Sequence, residues 1–243
     1  MSRVIPPVLH TVTVNGVELA YFERNRDRGG PTLLFVHCTG FHGRIWDRII
    51  EAFPQYHTIA LDQRGHGRSQ KCRVDHWQVF GQDIRDLAEL LGLHDVVGVG
   101  HSVGGHALVD AAASCGAFEK LILCDPTISA PENYGKPAPF LKKGEVHPAA
   151  RRRRDFASAQ EMYERLLGKG SYALFEPRML WDYCEHGLLP TAQGGWTLAC
   201  PPEVEASVYM ASRTNIGVFD SVRAIDLPVL ILRAMEPPGE RKA

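Results

Sequence analysis

The sequence predicts an α/β fold, a mostly parallel sheet that opens with an antiparallel hairpin and is interrupted by a helical insertion. Three observations carry this. Short apolar runs at residues 32–36, 56–61 and 120–124 alternate with segments whose apolar residues recur at helical spacing, the pattern of βαβ units. Asn15-Gly16 separates two β-rich runs, a two-residue hairpin signal. The stretch Gly98-Val99-Gly100-His101-Ser102-Val103-Gly104-Gly105 reads as strand, tight turn and helix, with Ser102 at the apex. At 243 residues the chain suffices for one such domain with an insertion.

The hairpin strands fall at residues 8–14 and 17–22, and a polar turn containing Gly29-Gly30 follows. Residues 32–36 are uninterruptedly apolar apart from Thr32, as suits a strand covered on both faces, and they end in His37-Cys38-Thr39-Gly40. Ile45, Trp46, Ile49, Ile50 and Phe53 give a helix over 44–53. The next strand runs into Asp62-Gln63-Arg64-Gly65-His66-Gly67-Arg68-Ser69. Val79, Phe80, Ile84, Leu87 and Leu91 share one face of a helix over 77–91, which leads to the serine turn. Strand 120–124 ends at Asp125-Pro126, and the strand pattern then stops until about residue 202. Within that interval Ser158 and Glu161 form a capping box, and Pro177 opens a second helix. A helix over 203–210 and a strand at 229–232 return to the core, so residues 1–126 and 203–243 are assigned to the core and 127–202 to the insertion. Ligands bind beyond the carboxyl ends of parallel strands, where His37, Ser102 and Asp125 all fall.

A serine hydroxyl is a weak nucleophile until a base takes its proton, so it must be held where base and substrate reach it. A sharp turn does this, and Gly100 and Gly104 relieve its crowding, giving a G-x-S-x-G nucleophile elbow. With the D-x-R-G-x-G-x-S loop at residues 62–69, these motifs resemble those of the α/β-hydrolase family, from about residue 8 to residue 235. The resemblance implies a serine hydrolase acting on an ester, thioester or related small acyl substrate through an acyl-enzyme, with no metal or cofactor. It assigns Ser102 as nucleophile and an oxyanion hole to the backbone N–H groups of Val103 and of Cys38 or Thr39. Cys38 stands where the family usually has glycine, and its side chain reads as a small buried group. The acid is Asp125 or, after the last strand, Glu236, with Asp125 preferred. The resemblance places residues 127–202 as a lid over the site.

The family's histidine follows one further strand, and no histidine follows His186 here. The resemblance therefore implies that the last strand and the base are missing, which leaves the strand at 229–232 as an exposed apolar edge open to homodimerisation or aggregation. Of the other histidines His37 sits nearest in the fold, with bracing of the oxyanion loop as its ordinary role. A catalytically silent chain that binds an apolar small molecule, and a carbon–carbon bond hydrolase on the same scaffold, are the alternatives.

Composition narrows the partners to small molecules. The net charge is −1 with 23% charged residues, which gives no pull toward nucleic acid or acidic membranes. Six cysteines without metal-ligand spacing suggest neither a zinc site nor a disulfide framework, and with no leader or spanning segment they suit a cytoplasmic protein. The run Arg151 to Arg154 reads as a solvated face at the start of an insertion helix, and Tyr163, Tyr172, Phe175, Trp181 and Tyr183 as the insertion's packing core.

Overall fold

The computed structural model of the chain describes residues 6–136 and 145–234. Among the described residues the main sheet has seven strands: β1 (Val8–Val14), β2 (Val17–Arg24), β3 (Thr32–Val36), β4 (Thr58–Asp62), β5 (Val96–His101), β6 (Phe118–Cys124) and β10 (Val229–Leu232), in the order β1-β2-β4-β3-β5-β6-β10. The hairpin pair β1–β2 and the pair β2–β4 are antiparallel, and the remaining pairs are parallel. Asn15 and Gly16 both take positive φ, 47° and 71°, as a tight hairpin requires.

Alternation along the central strands fills two cores. Leu34, Val36, Ile59 and Leu61 face α2 (Gln78–Leu90) and α3 (Val103–Ser114). Leu33, Phe35 and Ala60 face the other way, toward α1 (Asp47–Ile50), α4 (Ala159–Leu166) and α5 (Pro177–His186). Every residue of β3 and β4 is buried, which explains why their sequences show no alternation of polar and apolar residues.

Residues between β6 and α6 (Pro202–Met210) differ from a purely helical insertion. Besides α4 and α5 they form a three-stranded antiparallel sheet from β7 (Asp155–Phe156), β8 (Leu188–Pro190) and β9 (Trp196–Leu198). Strands of two or three residues are too short to display a period. Ser158 caps α4 as expected: its hydroxyl accepts the Glu161 N–H at 3.1 Å, while Glu161 reaches back to the Ala157 N–H. The helix expected at 44–53 is instead a 3₁₀ turn, Gly43–Trp46, running into the single turn of α1. A short helix, α7 (Val218–Ala224), was not signalled, because only Val218 in it is buried.

The arginine run is not a helix face. A 3₁₀ turn, Pro148–Arg151, gives way to extended backbone, so successive side chains diverge. Arg152 turns inward to Glu205, Arg153 packs on Phe156 and pairs with Glu161, and Arg154 pairs with Glu203. Among the described residues no helix is long and apolar enough to cross a membrane.

Candidate active site

Ser102 occupies the turn between β5 and α3 with φ 54° and ψ −116°, a strained conformation for a residue with a side chain. The flanking glycines explain how the turn fits. A Cβ on Gly100 would lie 2.7 Å from the Gly104 carbonyl, and a Cβ on Gly104 would lie 2.4 Å from the Val36 oxygen. The first turn of α3 thus rests directly on the end of β3. The same Cβ position on Gly104 lies 2.7 Å from the His37 carbonyl, and Val103, as the first residue of α3, has an N–H with no intrahelical acceptor.

The Ser102 hydroxyl lies 3.0 Å from Thr127 Oγ1. Thr127 also donates its N–H to the Ser102 carbonyl at 3.1 Å and accepts at its own carbonyl from His106 Nδ1 at 3.0 Å. Nothing in the sequence singled out Thr127. Its one signal is position, two residues past Asp125 at the end of β6, where the chain must pass the serine.

The loop after β3 is a buried turn. The Phe41 N–H bonds the Cys38 carbonyl at 3.2 Å with Gly40 at φ 79°, the arrangement of a type II turn. Cys38 is buried and burial pushes its thiol well above the usual range, so the side chain is a small packed group and not a thiolate. His37 braces the loop: Nε2 accepts the Gln63 N–H at 3.0 Å, so Nδ1 holds the proton and donates it to the Cys38 carbonyl at 2.7 Å. Burial lowers its pKa to about 4. With both nitrogens committed to backbone, His37 has no lone pair for Ser102.

The 62–69 loop explains itself in the same terms. Asp62 accepts the Gly43 N–H at 2.6 Å and the Arg68 N–H at 2.7 Å, and a Cβ on Gly67 would stand 2.0 Å from the Asp62 carboxylate. Arg64 pairs with Asp83, and buried His66, lowered to about 3 by burial, donates to the Arg64 carbonyl.

The structure places Asp125 at the end of β6, exposed, at φ 46°, its N–H donated to the Leu232 carbonyl at 2.8 Å. His101, which precedes the serine on β5, lies within its electrostatic reach. Glu236 lies outside the described residues. All eleven histidines are described, and among the described residues the hydrogen-bond partner of the Ser102 hydroxyl is Thr127. His106 points back into the core, its Nε2 accepting from Asn215 at 3.0 Å. His42 bonds the Tyr183 carbonyl, and burial lowers His186 to about 4.

Comparison with known proteins agrees with this geometry. Residues 33–236 match the Alpha/beta hydrolase family. An uncharacterised protein of Mycobacterium tuberculosis is 37% identical over 105 residues, covering 42% of this chain and 30% of that protein, so the match spans under a third of its length. Lipase LipV of the same organism is 29% identical over 190 residues, 76% of this chain and 68% of the lipase. Among solved structures, E-2-(acetamidomethylene)succinate hydrolase superposes with a TM-score of 0.71 at 20% identity, covering 94% of this chain and 91% of that one. At that identity the likeness is one of fold. The central sheet, the strand-turn-helix around Ser102 and the family match over most of the chain lead to one conclusion: the chain belongs to the alpha/beta hydrolase family.

Proposed function

We propose that the chain is a serine hydrolase acting on an ester, a thioester or a related small acyl substrate, with Ser102 as nucleophile. The observation that carries this is the strained φ of 54° at Ser102, which costs stability and is retained at the mouth of a helix N-terminus. The Ser102 oxygen adds to the acyl carbon, and its proton passes through solvent to the oxygen or sulfur of the leaving group. The N–H groups of Val103 and of Cys38 or Thr39 donate to the oxyanion, and the alcohol or thiol leaves with a proton. Water then cleaves the Ser102 ester and restores the hydroxyl. Asp125 is the acid in this reading and Glu236 its alternative. Residues 127–202 act as the lid that selects substrate. LipV and a bifunctional esterase/perhydrolase of Acinetobacter calcoaceticus, 31% identical over 99 residues, 40% of this chain and 36% of the relative, support ester chemistry over a carbon–carbon hydrolase.

One observation favours a second reading, a silent chain that binds an apolar small molecule: the Ser102 hydroxyl meets a threonine and not an imidazole. Incubation with p-nitrophenyl butyrate separates the two. A hydrolase yields a butyryl adduct on the Ser102 peptide by mass spectrometry, and Ser102→Ala yields none. Saturable binding of the ester without adduct or p-nitrophenol release would leave the silent reading standing.

A further inference from the structure

Beneath the oxyanion loop lies a polar cluster that the reading above does not use. Arg152 donates through Nη1 to Glu205 Oε2 at 2.5 Å and through Nη2 to the hydroxyls of Tyr183 at 2.9 Å and Tyr172 at 3.2 Å. The Tyr183 hydroxyl reaches the Gly40 carbonyl at 3.5 Å, and the Tyr183 ring lies 4.7 Å, centroid to centroid, from Phe41 and 6.0 Å from His42. Glu205 closes the other side. A Cβ on Gly40 would fall 2.8 Å from Glu205 Oε1, so the carboxylate fills the space left by that glycine. Glu205 and Tyr183 are both buried, at 5% and 2% exposure.

We infer that Arg152 and Glu205 are positioning residues: with the Tyr172 and Tyr183 hydroxyls, their ion pair holds the 38–41 turn in the conformation that aims its N–H groups at the oxyanion. The inference rests on the proposed hydrolase reading for its function, though not for its structure. Three of the four side chains come from residues 152–183, far from the turn in sequence, so the segment over the site is wired to the loop that stabilises charge. A half-buried guanidinium that bonds a carboxylate and two hydroxyls has its donors fixed in one plane, which a lysine cannot reproduce. Removing Arg152 leaves the buried Glu205 carboxylate without its cation, which is costly, so the turn is held firmly while the pair is intact.

The test uses hydrogen exchange of the 37–43 peptide and ester kinetics in the full chain, for Arg152→Met, Arg152→Lys, Glu205→Gln and Tyr183→Phe. Arg152→Met is expected to speed exchange at 38–41 by about tenfold or more while the 98–104 segment keeps its protection. Arg152→Lys recovers part of that protection. On p-nitrophenyl butyrate, kcat is expected to fall by about 10²-fold with KM little changed, as for a misplaced oxyanion donor. Unchanged exchange at 38–41 in a folded variant overturns the inference, and so does a rise in KM with kcat kept, which would make Arg152 a substrate-binding group. If Arg152→Met does not fold, Glu205→Gln and Tyr183→Phe decide by the same criteria. If the unmodified chain neither turns over ester nor forms an adduct, the hydrolase reading fails while exchange still decides the positioning.

Discussion

The two sides of Ser102 are built differently. On the β3 side every residue of the strand is buried, and beyond it both ring nitrogens of His37 are committed to backbone. On the β6 side Asp125 is exposed, and the neighbouring β10 is exposed along its whole length. A preorganised oxyanion site needs donors that do not relax when charge develops, and burial of the β3 side supplies that. A triad base is an imidazole whose lone pair meets the serine, and among the described residues the Ser102 hydroxyl is bonded to Thr127 instead. On the proposed hydrolase reading, the oxyanion side is thus packed in place among the described residues, whereas the Ser102 hydroxyl meets Thr127 there and not an imidazole.

The largest effect expected from this asymmetry is on rate. Turnover of a short-chain p-nitrophenyl ester by this 243-residue chain should show only the acceleration that binding and an oxyanion hole give without a triad, about 10³ to 10⁴ over water. Steady-state kinetics on the chain, Ser102→Ala and His37→Ala check this. Rapid Ser102-dependent turnover would break the comparison, and its loss in His37→Ala would show that the imidazole leaves its backbone partners.

Next comes the packing of the closed side. Gly104→Ala sets a methyl 2.4 Å from the Val36 oxygen, a backbone atom that cannot swing away, and is expected to cost about 3 kcal/mol or more. Gly116→Ala meets nothing within 4 Å and should be neutral or stabilise by up to about 1 kcal/mol. Denaturant melts of the two variants test whether the closed side is as rigid as its contacts imply.

The same side sets the acid response. His37 has a folded pKa of about 4 against 6.5 when unfolded, so between those values the unfolded chain binds the extra proton and stability falls as pH falls. Full passage through the window costs about 3 kcal/mol for this one residue, and none of it is felt above pH 7. His186, also near 4, titrates in the same range. Melting His37→Gln against the unmodified chain from pH 7.5 to 4.5 should show a shallower fall for the variant, since Gln63 and Cys38 keep a polar partner that does not titrate. Parallel curves would mean that His37 titrates normally.

What was legible in the sequence was local. The hairpin at Asn15-Gly16, the serine turn with its glycines and the loop at residues 62–69 each announce themselves within eight residues, because the backbone demands them there. Strand β3 read correctly because burial on both faces leaves an apolar run. The rest depends on side chains that meet only after folding. Thr127 is 25 residues from Ser102, and Glu205 is 53 from Arg152, with no spacing rule to connect either pair. The arginine run misled for the same reason: four like residues look equivalent until extended backbone sends Arg152 inward and Arg153 and Arg154 elsewhere.

The smallest effect concerns the open side itself. β10 pairs with β6 in parallel register, Val229 opposite Leu121 and Leu232 opposite Cys124, and the Leu121 N–H bonds the Pro228 carbonyl at 3.0 Å. Its outer backbone groups are unpaired among the described residues, and its side chains are 42% to 61% exposed on both faces. At the opposite edge β1 alternates, with Val12 and Val14 turned inward and Thr11 and Thr13 outward, as an edge strand in water should. An apolar edge with free N–H and C=O groups is a template for a second copy, but four residues bury far less than the roughly 1,200 Å² of a stable interface. Association should therefore be weak and rise with concentration. Ile231→Lys, on the most exposed of the four positions, should shift light-scattering mass toward monomer while changing stability by no more than about 0.5 kcal/mol. If the unmodified chain stays a monodisperse monomer at high concentration, the exposed edge does not attract its own kind.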